Sequence, residues 1–159
     1  MPQVELTNIS NKLYDPTEDK TITDIVKEIR EKVEDLKPKR STPIQELSSY
    51  TLLADDYKDI DKTDLNGWSA IIITVKVTYG TSPLNGVRVL WLYSQDGTNY
   101  DTENEALRRG NYEDIGYTPS AVEQGTIVVP IFTPYVRIRI RNLDTANNVT
   151  IDAWTTLLR

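Results

Sequence analysis

Cysteine and histidine are both absent from the 159 residues of this sequence. Without cysteine, the fold has no disulfide and no thiolate to act as a nucleophile or metal ligand. Without histidine, it lacks the usual general base near neutral pH and the commonest ligand of transition metals. Most hydrolytic mechanisms would therefore have to use carboxylates.

Long apolar runs are also missing. No stretch approaches the roughly 18 apolar residues that a spanning helix needs, so we expect no membrane partner. The first ten residues lack the basic start and apolar block of a secretory signal peptide. The formal net charge of −6 argues against a nucleic-acid partner, for which a basic patch is the expected footprint.

The N-terminal part predicts an arm followed by a helix. Residues 1–20 mix polar residues and prolines with isolated apolar positions, which is typical of an extended arm. Apolar residues then recur at spacings of three and four, which predicts an amphipathic helix over residues 21–37. Thr21 or Thr23 can cap its start, and Pro38 ends it. The predicted apolar stripe consists of Ile22, Ile25, Val26, Ile29, Val33 and Leu36.

This stripe requires a partner, because a helix of roughly 15 residues is marginally stable alone in water. Three partners remain open at this stage: the rest of the same chain, the helices of other copies, or a different protein. We assign the stripe to oligomerisation.

After a predicted linker over residues 38–46, the pattern changes to alternation with a period of two, which is typical of strands. The apolar residues on both faces of Val87–Tyr93 predict a central strand, and Pro130 predicts an edge strand or a bulge. Six to eight short strands with no intervening helix predict a mainly β domain over residues 47–159, an antiparallel β-sandwich with a jelly-roll-like fold. The strand candidates are Tyr50–Ala54, Ala70–Tyr79, Val87–Tyr93, Gly125–Phe132, Tyr135–Arg141 and Val149–Leu158.

The acidic residues predict no catalytic or metal site. A run of five aspartates fails the calcium-loop template, because it lacks the glycine at the sixth position and the glutamate at the twelfth. We therefore expect a solvated loop there. The other acidic residues fall in predicted loops, including the longest one, Asp101–Gln124, and form no recognisable facing pair. We assign no catalytic residue, no metal ligand and no cofactor. The run consists of Asp55, Asp56, Asp59, Asp61 and Asp64.

Arg137, Arg139 and Arg141 alternate with apolar residues, so they form a basic ladder on one face of a strand. Neighbouring like charges repel unless something neutralises them. Acidic residues of the same chain, an acidic surface on a partner, and a phosphate all remain open. We therefore include the three arginines as a candidate partner contact.

The aromatic residues indicate an alternative function, the binding of a carbohydrate. Sugar-binding sandwiches present flat aromatic faces beside polar groups, and the sequence holds three tryptophans and nine tyrosines. Trp68, Tyr100, Tyr112 and Tyr117 lie near predicted turns or loops and are candidate ligand contacts. With them, the chain would be a carbohydrate-binding or adhesion module that binds a surface glycan.

Three segments resemble small β-sandwich structural proteins of phage and archaeal virus particles. They are DLNGWSAIIITVKV (64–77), VLWLYSQDGTNYD (89–101) and VRIRIRN (136–142), and they span about half of the chain. In such proteins a strand after an LxG turn, an SxDGxN hairpin and a strand of alternating apolar and basic residues recur.

The resemblance implies a non-enzymatic decoration, tail or fibre protein located in the virion. It also implies attachment through an N-terminal arm, contact with other virion proteins and a homo-oligomer, most plausibly a trimer. It offers no catalytic residues to carry over.

Overall fold

A computed structural model describes residues 21–35 and 37–159 of the chain. The chain divides into two compact units, Met1–Pro38 and Lys39–Arg159. The predicted arm over residues 1–20 and the predicted stripe residue Leu36 lie outside the described residues.

The described part of the first unit contains one helix, α1, over Ile22–Asp35. Thr21 caps it: the Thr21 hydroxyl accepts a hydrogen bond from the Asp24 amide at 3.3 Å, while the Thr21 amide donates to the Asp24 carboxylate at 3.0 Å. This reciprocal pair satisfies two of the amides that a helix start leaves without partners. The capping role falls to Thr21, and Thr23 lies inside the helix.

The second unit is an antiparallel β-sandwich of two four-stranded sheets. One sheet has the strand order β1-β8-β3-β6 and the other β2-β7-β4-β5, which is the order of an eight-stranded jelly roll. The predicted fold class is confirmed. Its elements are β1 (Ile44–Leu52), β2 (Tyr57–Lys62), β3 (Ala70–Thr78), β4 (Val87–Ser94), α2 (Glu103–Arg109), β5 (Tyr112–Ile115), β6 (Val122–Pro130), β7 (Tyr135–Asn142) and β8 (Val149–Leu158).

The core lies between the two sheets and follows the alternation of the sequence. On β3 the odd-numbered residues from Ile71 to Val77 are fully buried, and on β7 so are Val136, Ile138 and Ile140. The residues between them point to the outer faces. A shift of register by one residue would therefore bury the three arginines of β7, which fixes the pairing strongly.

The predicted central position of β4 is confirmed, since β4 pairs with both β7 and β5. Its second apolar face is covered by α2. Leu90 and Leu92 are buried against Ala106 of that helix, in a small cluster separate from the main core. Pro130 ends β6, which lies at the edge of its sheet as predicted.

The prediction of one long loop over Asp101–Gln124 is wrong, because this segment holds α2 and β5. A capping box starts α2: Thr102 accepts from the amide of Glu105, whose side chain accepts from the amide of Thr102. Gly110 ends the helix in the left-handed conformation, with φ of 72°. The helix has only seven residues, too few for an apolar period to reveal it.

The strand boundaries near the first β elements also differ from prediction. The acidic run predicted as a loop contains β2, whose one fully apolar residue, Ile60, gives too little alternation for a strand signal. Ser49, at φ 48°, interrupts the alternation of β1, and the strand begins at Ile44, before the predicted Tyr50. Part of the predicted linker, residues 38–46, lies in the sandwich: Lys39 and Ser41 form backbone hydrogen bonds with Arg159 and Leu157.

A buried carboxylate fastens the turn between β7 and β8 to the loop before β4. Asp144 is fully buried and accepts hydrogen bonds from the amides of Leu84 at 2.6 Å, Ala146 at 2.8 Å and Asn147 at 2.9 Å. Burial alone would raise the pKa of Asp144, but these donors outweigh it and lower the pKa to about 2.

We expect Asp144→Ala to lower the free energy of unfolding by about 3 kcal/mol, because it leaves several buried amides without an acceptor. Urea denaturation at pH 7 measures this. Since the folded pKa lies below the unfolded value, the stability that Asp144 contributes is present above about pH 4 and is lost as the pH falls towards 2. Asp144→Asn should weaken this component of the pH dependence. Equal stability of Asp144→Ala and the unmodified protein would contradict the assignment.

Candidate functional site

The arginine ladder lies on the outer face of the second sheet, opposite acids of the same chain. The pairing of β2 with β7 sets Asp61 directly across from Arg137 and Asp59 across from Arg139. Arg139 binds Asp59 through two hydrogen bonds of 2.7 Å, and Arg137 binds Asp61 at 2.6 Å. Register alone therefore brings together charges that lie 76 and 80 positions apart in the sequence.

Glu103 connects the ladder to α2. Its carboxylate accepts from Arg139 at 3.0 Å and from Arg141 at 2.8 Å, and Arg141 also donates to Asp55 at 3.0 Å. These hydrogen bonds, that to Asp59 above all, raise the pKa of Arg139 above its ordinary value. Of the alternatives that the sequence left open, neutralisation by acids of the same chain is the observed one. A partner contact through these arginines stays a prediction.

The acidic run therefore has a structural role that the prediction of a solvated loop did not include. Asp59 and Asp61 lie on β2, and with Asp55 they bind the ladder. Asp56 accepts a hydrogen bond from the amide of Tyr57, and Asp64 adopts a positive φ of 55° beside β2. Within residues 21–35 and 37–159, no group of three or more acidic side chains is arranged to hold a metal ion.

The four aromatic residues predicted to contact a ligand do not form one surface. The guanidinium of Arg137 lies 4.0 Å from the ring centre of Tyr100, and that of Arg88 lies 4.6 Å from that of Tyr112, so one face of each ring is occupied. Trp68 is half-buried and Tyr117 is exposed. Of these four, Tyr100 alone lines the cleft described next.

An open cleft of about 740 Å³ lies where the loop after β4 approaches the loop after β6. Its apolar side is formed by Tyr93 and Phe132, whose ring centres are 5.6 Å apart at an interplanar angle of 48°. Phe132, the one phenylalanine of the sequence, is 74% exposed. Polar side chains complete the lining, among them Gln95, Asn99 and Asn111.

The SQDGTNY segment forms the rim of this cleft. It connects β4 to α2, so it is a turn before a helix and not the hairpin that the resemblance implies. Asp96 accepts hydrogen bonds from the amides of Thr98 and Asn99 at 2.8 and 2.7 Å and from the hydroxyl of Ser94 at 3.0 Å. These bonds, with the amide of Asn99 first, hold the pKa of Asp96 well below its ordinary value. Gly97 has a φ of 72°, and a β-carbon there would meet the Tyr135 ring at 3.0 Å.

Sequence reasoning missed Tyr93 and Phe132 as cleft residues. Both were placed at the ends of predicted strands, where an aromatic residue normally packs into the core. The available signal was the position of Phe132 two residues after Pro130, which ends an edge strand and leaves the next residues outside the sheet.

The predicted oligomerisation stripe is a second candidate site. On α1 the exposed fractions are 43% for Ile22, 41% for Val26, 55% for Ile29 and 50% for Val33, and Ile25 is half-buried. The helix therefore presents a row of large apolar side chains. Isolated exposed apolar residues are common, but a contiguous row on one helix face is characteristic of an interaction surface.

Comparisons with known proteins give little beyond the fold. No protein-family model matches the chain, and no curated protein sequence is significantly similar to it. One similar solved structure is a carbohydrate-binding module, CBM36, in complex with calcium and xylotriose. It shares 13% sequence identity with a TM-score of 0.43, and the alignment covers 79% of this chain and 95% of that one. At this TM-score the similarity assigns neither ligand to this chain. No helix in the described residues is long and apolar enough to span a membrane.

Proposed function

We propose that the chain is a non-enzymatic structural protein of a virus particle, of the decoration, tail or fibre type. In this proposal it assembles into a homo-oligomer through α1. The observation that carries the proposal is the exposed apolar row on α1. A helix of 14 residues is marginally stable alone in water, so this row has to be buried for the helix to be stable.

The energetics favour burial of this row. Fully burying a valine or isoleucine side chain contributes about 1.5 to 3 kcal/mol. Because the four most exposed residues of the row are each about half exposed, burying what remains contributes about 1 kcal/mol per side chain. The gain grows with the number of chains that bring their helices together.

A second copy of the same helix is the partner we propose. Apolar residues at spacings of three and four are the pattern by which helices pack on one another, and identical helices present identical spacings. Glu28 and Lys32 border one side of the row and Arg30 the other. Charges of both signs therefore flank the contact, so the flanking side chains of neighbouring copies do not all repel one another. We propose three copies as the stoichiometry.

The sandwich would then be the displayed or docked part of the particle. Eight-stranded jelly rolls occur in viral capsid domains, and they also occur in lectins, so this support is an analogy at the level of the fold. The three sequence segments that resemble virion sandwiches overlap β3, β4 and β7. Other virion proteins are the partners expected for the displayed surface.

Virus particles purified by density gradient from the source of the sequence test the proposal. We expect the chain to sediment with the particles at a constant copy number, which is a multiple of three for a trimer. A chain that remains in the soluble fraction and is missing from the particles would contradict the virion assignment, whatever its oligomeric state.

A further inference from the structure

In the cleft, the exposed ring of Phe132 packs on Tyr93, whose position is fixed by a hydrogen bond. The Tyr93 hydroxyl donates a 2.7 Å hydrogen bond to the carbonyl oxygen of Pro130, and burial raises the pKa of Tyr93 to about 12. Tyr93 therefore stays neutral and held in place. Phe132 rests against it but exposes 74% of its own surface. An apolar platform of this kind gains free energy when a flat apolar group covers it.

The charged side chains that line the cleft are engaged within the protein. Asp96 accepts hydrogen bonds from the amides of Thr98 and Asn99, and Glu105 accepts from the amide and hydroxyl of Thr102 at 2.8 and 2.9 Å. Asp101 accepts from Arg109 at 2.8 Å. The lining therefore carries three carboxylates and one guanidinium, and this net charge of −2 disfavours a phosphate or another anion as its ligand. Among the described residues, no three acidic side chains are arranged to hold a metal ion.

Neutral polar groups of the cleft are still available. Gln95 and Asn111 make no side-chain hydrogen bond in the part of the chain that the structure describes, and both line the cleft. Asn99 donates its side-chain amide to Asp96 at 2.7 Å, which leaves its side-chain oxygen free to accept. Neutral donors and acceptors thus lie beside the aromatic platform.

We propose that this cleft binds a neutral saccharide, with one sugar ring stacked on Phe132 and its hydroxyls bound by Gln95, Asn99 and Asn111. A pyranose presents an apolar face of C–H groups and an edge of hydroxyls, which matches both parts of the lining. This binding goes beyond the assembly role, and the residues that line the cleft all belong to the second unit.

Isothermal titration calorimetry of the full chain with neutral hexasaccharides tests this inference. The probes are cellohexaose, xylohexaose, mannohexaose and maltohexaose, and heparin is the charged comparison. We expect at least one neutral hexasaccharide to bind and Phe132→Ala to weaken its binding about tenfold. Phe132→Trp should retain binding, because it keeps a flat aromatic face.

Val128→Ala is the matched control, because Val128 is an apolar residue that is 60% exposed and lies outside the cleft. It should bind like the unmodified chain. Because the Phe132 side chain is largely exposed, the melting temperature and oligomeric mass of Phe132→Ala should not change, which separates this test from the assembly proposal. Three results would overturn the inference: no binding of any neutral probe, equal binding by Phe132→Ala, or binding of heparin alone.

Discussion

Two aspartates placed in the apolar row, as Ile29→Asp with Val33→Asp, should convert the homo-oligomer into monomers. Ile29 and Val33 are the two most exposed apolar residues of α1. The double change removes their burial in the assembly and would place charges in an apolar contact, which costs several kcal/mol per site. We expect the dissociation constant to rise by more than 100-fold, measured by sedimentation equilibrium.

The matched control is Lys27→Asp with Glu31→Asp. These positions have the same spacing of four residues, lie on the opposite face of α1 and change the net charge by the same −2 as the test variant. The control should therefore remain an oligomer. Dissociation of both variants would mean that charge alone weakens the assembly, and dissociation of neither would remove α1 from the contact. The melting temperature of the sandwich should be the same in both variants.

The second large effect is expected at Arg139. Arg139→Ala should lower the free energy of unfolding by about 3 kcal/mol, because it leaves Asp59, which is 23% exposed, without the two hydrogen bonds from that arginine. The same change removes one of the two arginines that bind Glu103. It also removes the guanidinium that lies 3.7 Å from the ring centre of Tyr57. Chemical denaturation at pH 7 measures the change.

Arg88→Ala provides the comparison for Arg139. Arg88 also binds one aspartate through two hydrogen bonds, Asp114 at 2.6 and 2.7 Å, and also lies over a tyrosine ring. Asp114 is 48% exposed, so water solvates it when the arginine is removed. We expect a loss below about 1 kcal/mol. If Arg139→Ala lowers the free energy of unfolding no more than Arg88→Ala does, the ladder consists of ordinary surface ion pairs. The contact of Glu103 with the ladder would then not stabilise the packing of α2 on the sheet.

Much of the sandwich could be predicted because its strands alternate fully. The predicted strand over Val149–Leu158 coincides with β8, and β3 and β7 differ from prediction by one residue at one end. In each, the residues at every second position point into one core, and all of these are apolar except Asn142 of β7 and Thr155 of β8. β2 and α2 could not be predicted in the same way, since six and seven residues give too short a pattern.

The candidate sites depend on contacts that the sequence does not reveal. Alternation placed Arg137, Arg139 and Arg141 on one face, but their acidic partners depend on β2 pairing with β7, which only the jelly-roll connection determines. Likewise, Phe132 meets Tyr93 because the loop after β6 of one sheet approaches the end of β4 in the other sheet. The row on α1, in contrast, is a property of one local segment, and spacing alone predicted it.

The central claim is that identical chains associate through α1, and the solution mass of the unmodified chain tests it most directly. Light scattering across a hundredfold range of concentrations should give a defined multiple of 18.1 kDa, three times that value for a trimer, with a monomer appearing only on dilution. A mass of 18.1 kDa at every concentration would contradict the claim, because the row on α1 would then have no copy of itself as a partner.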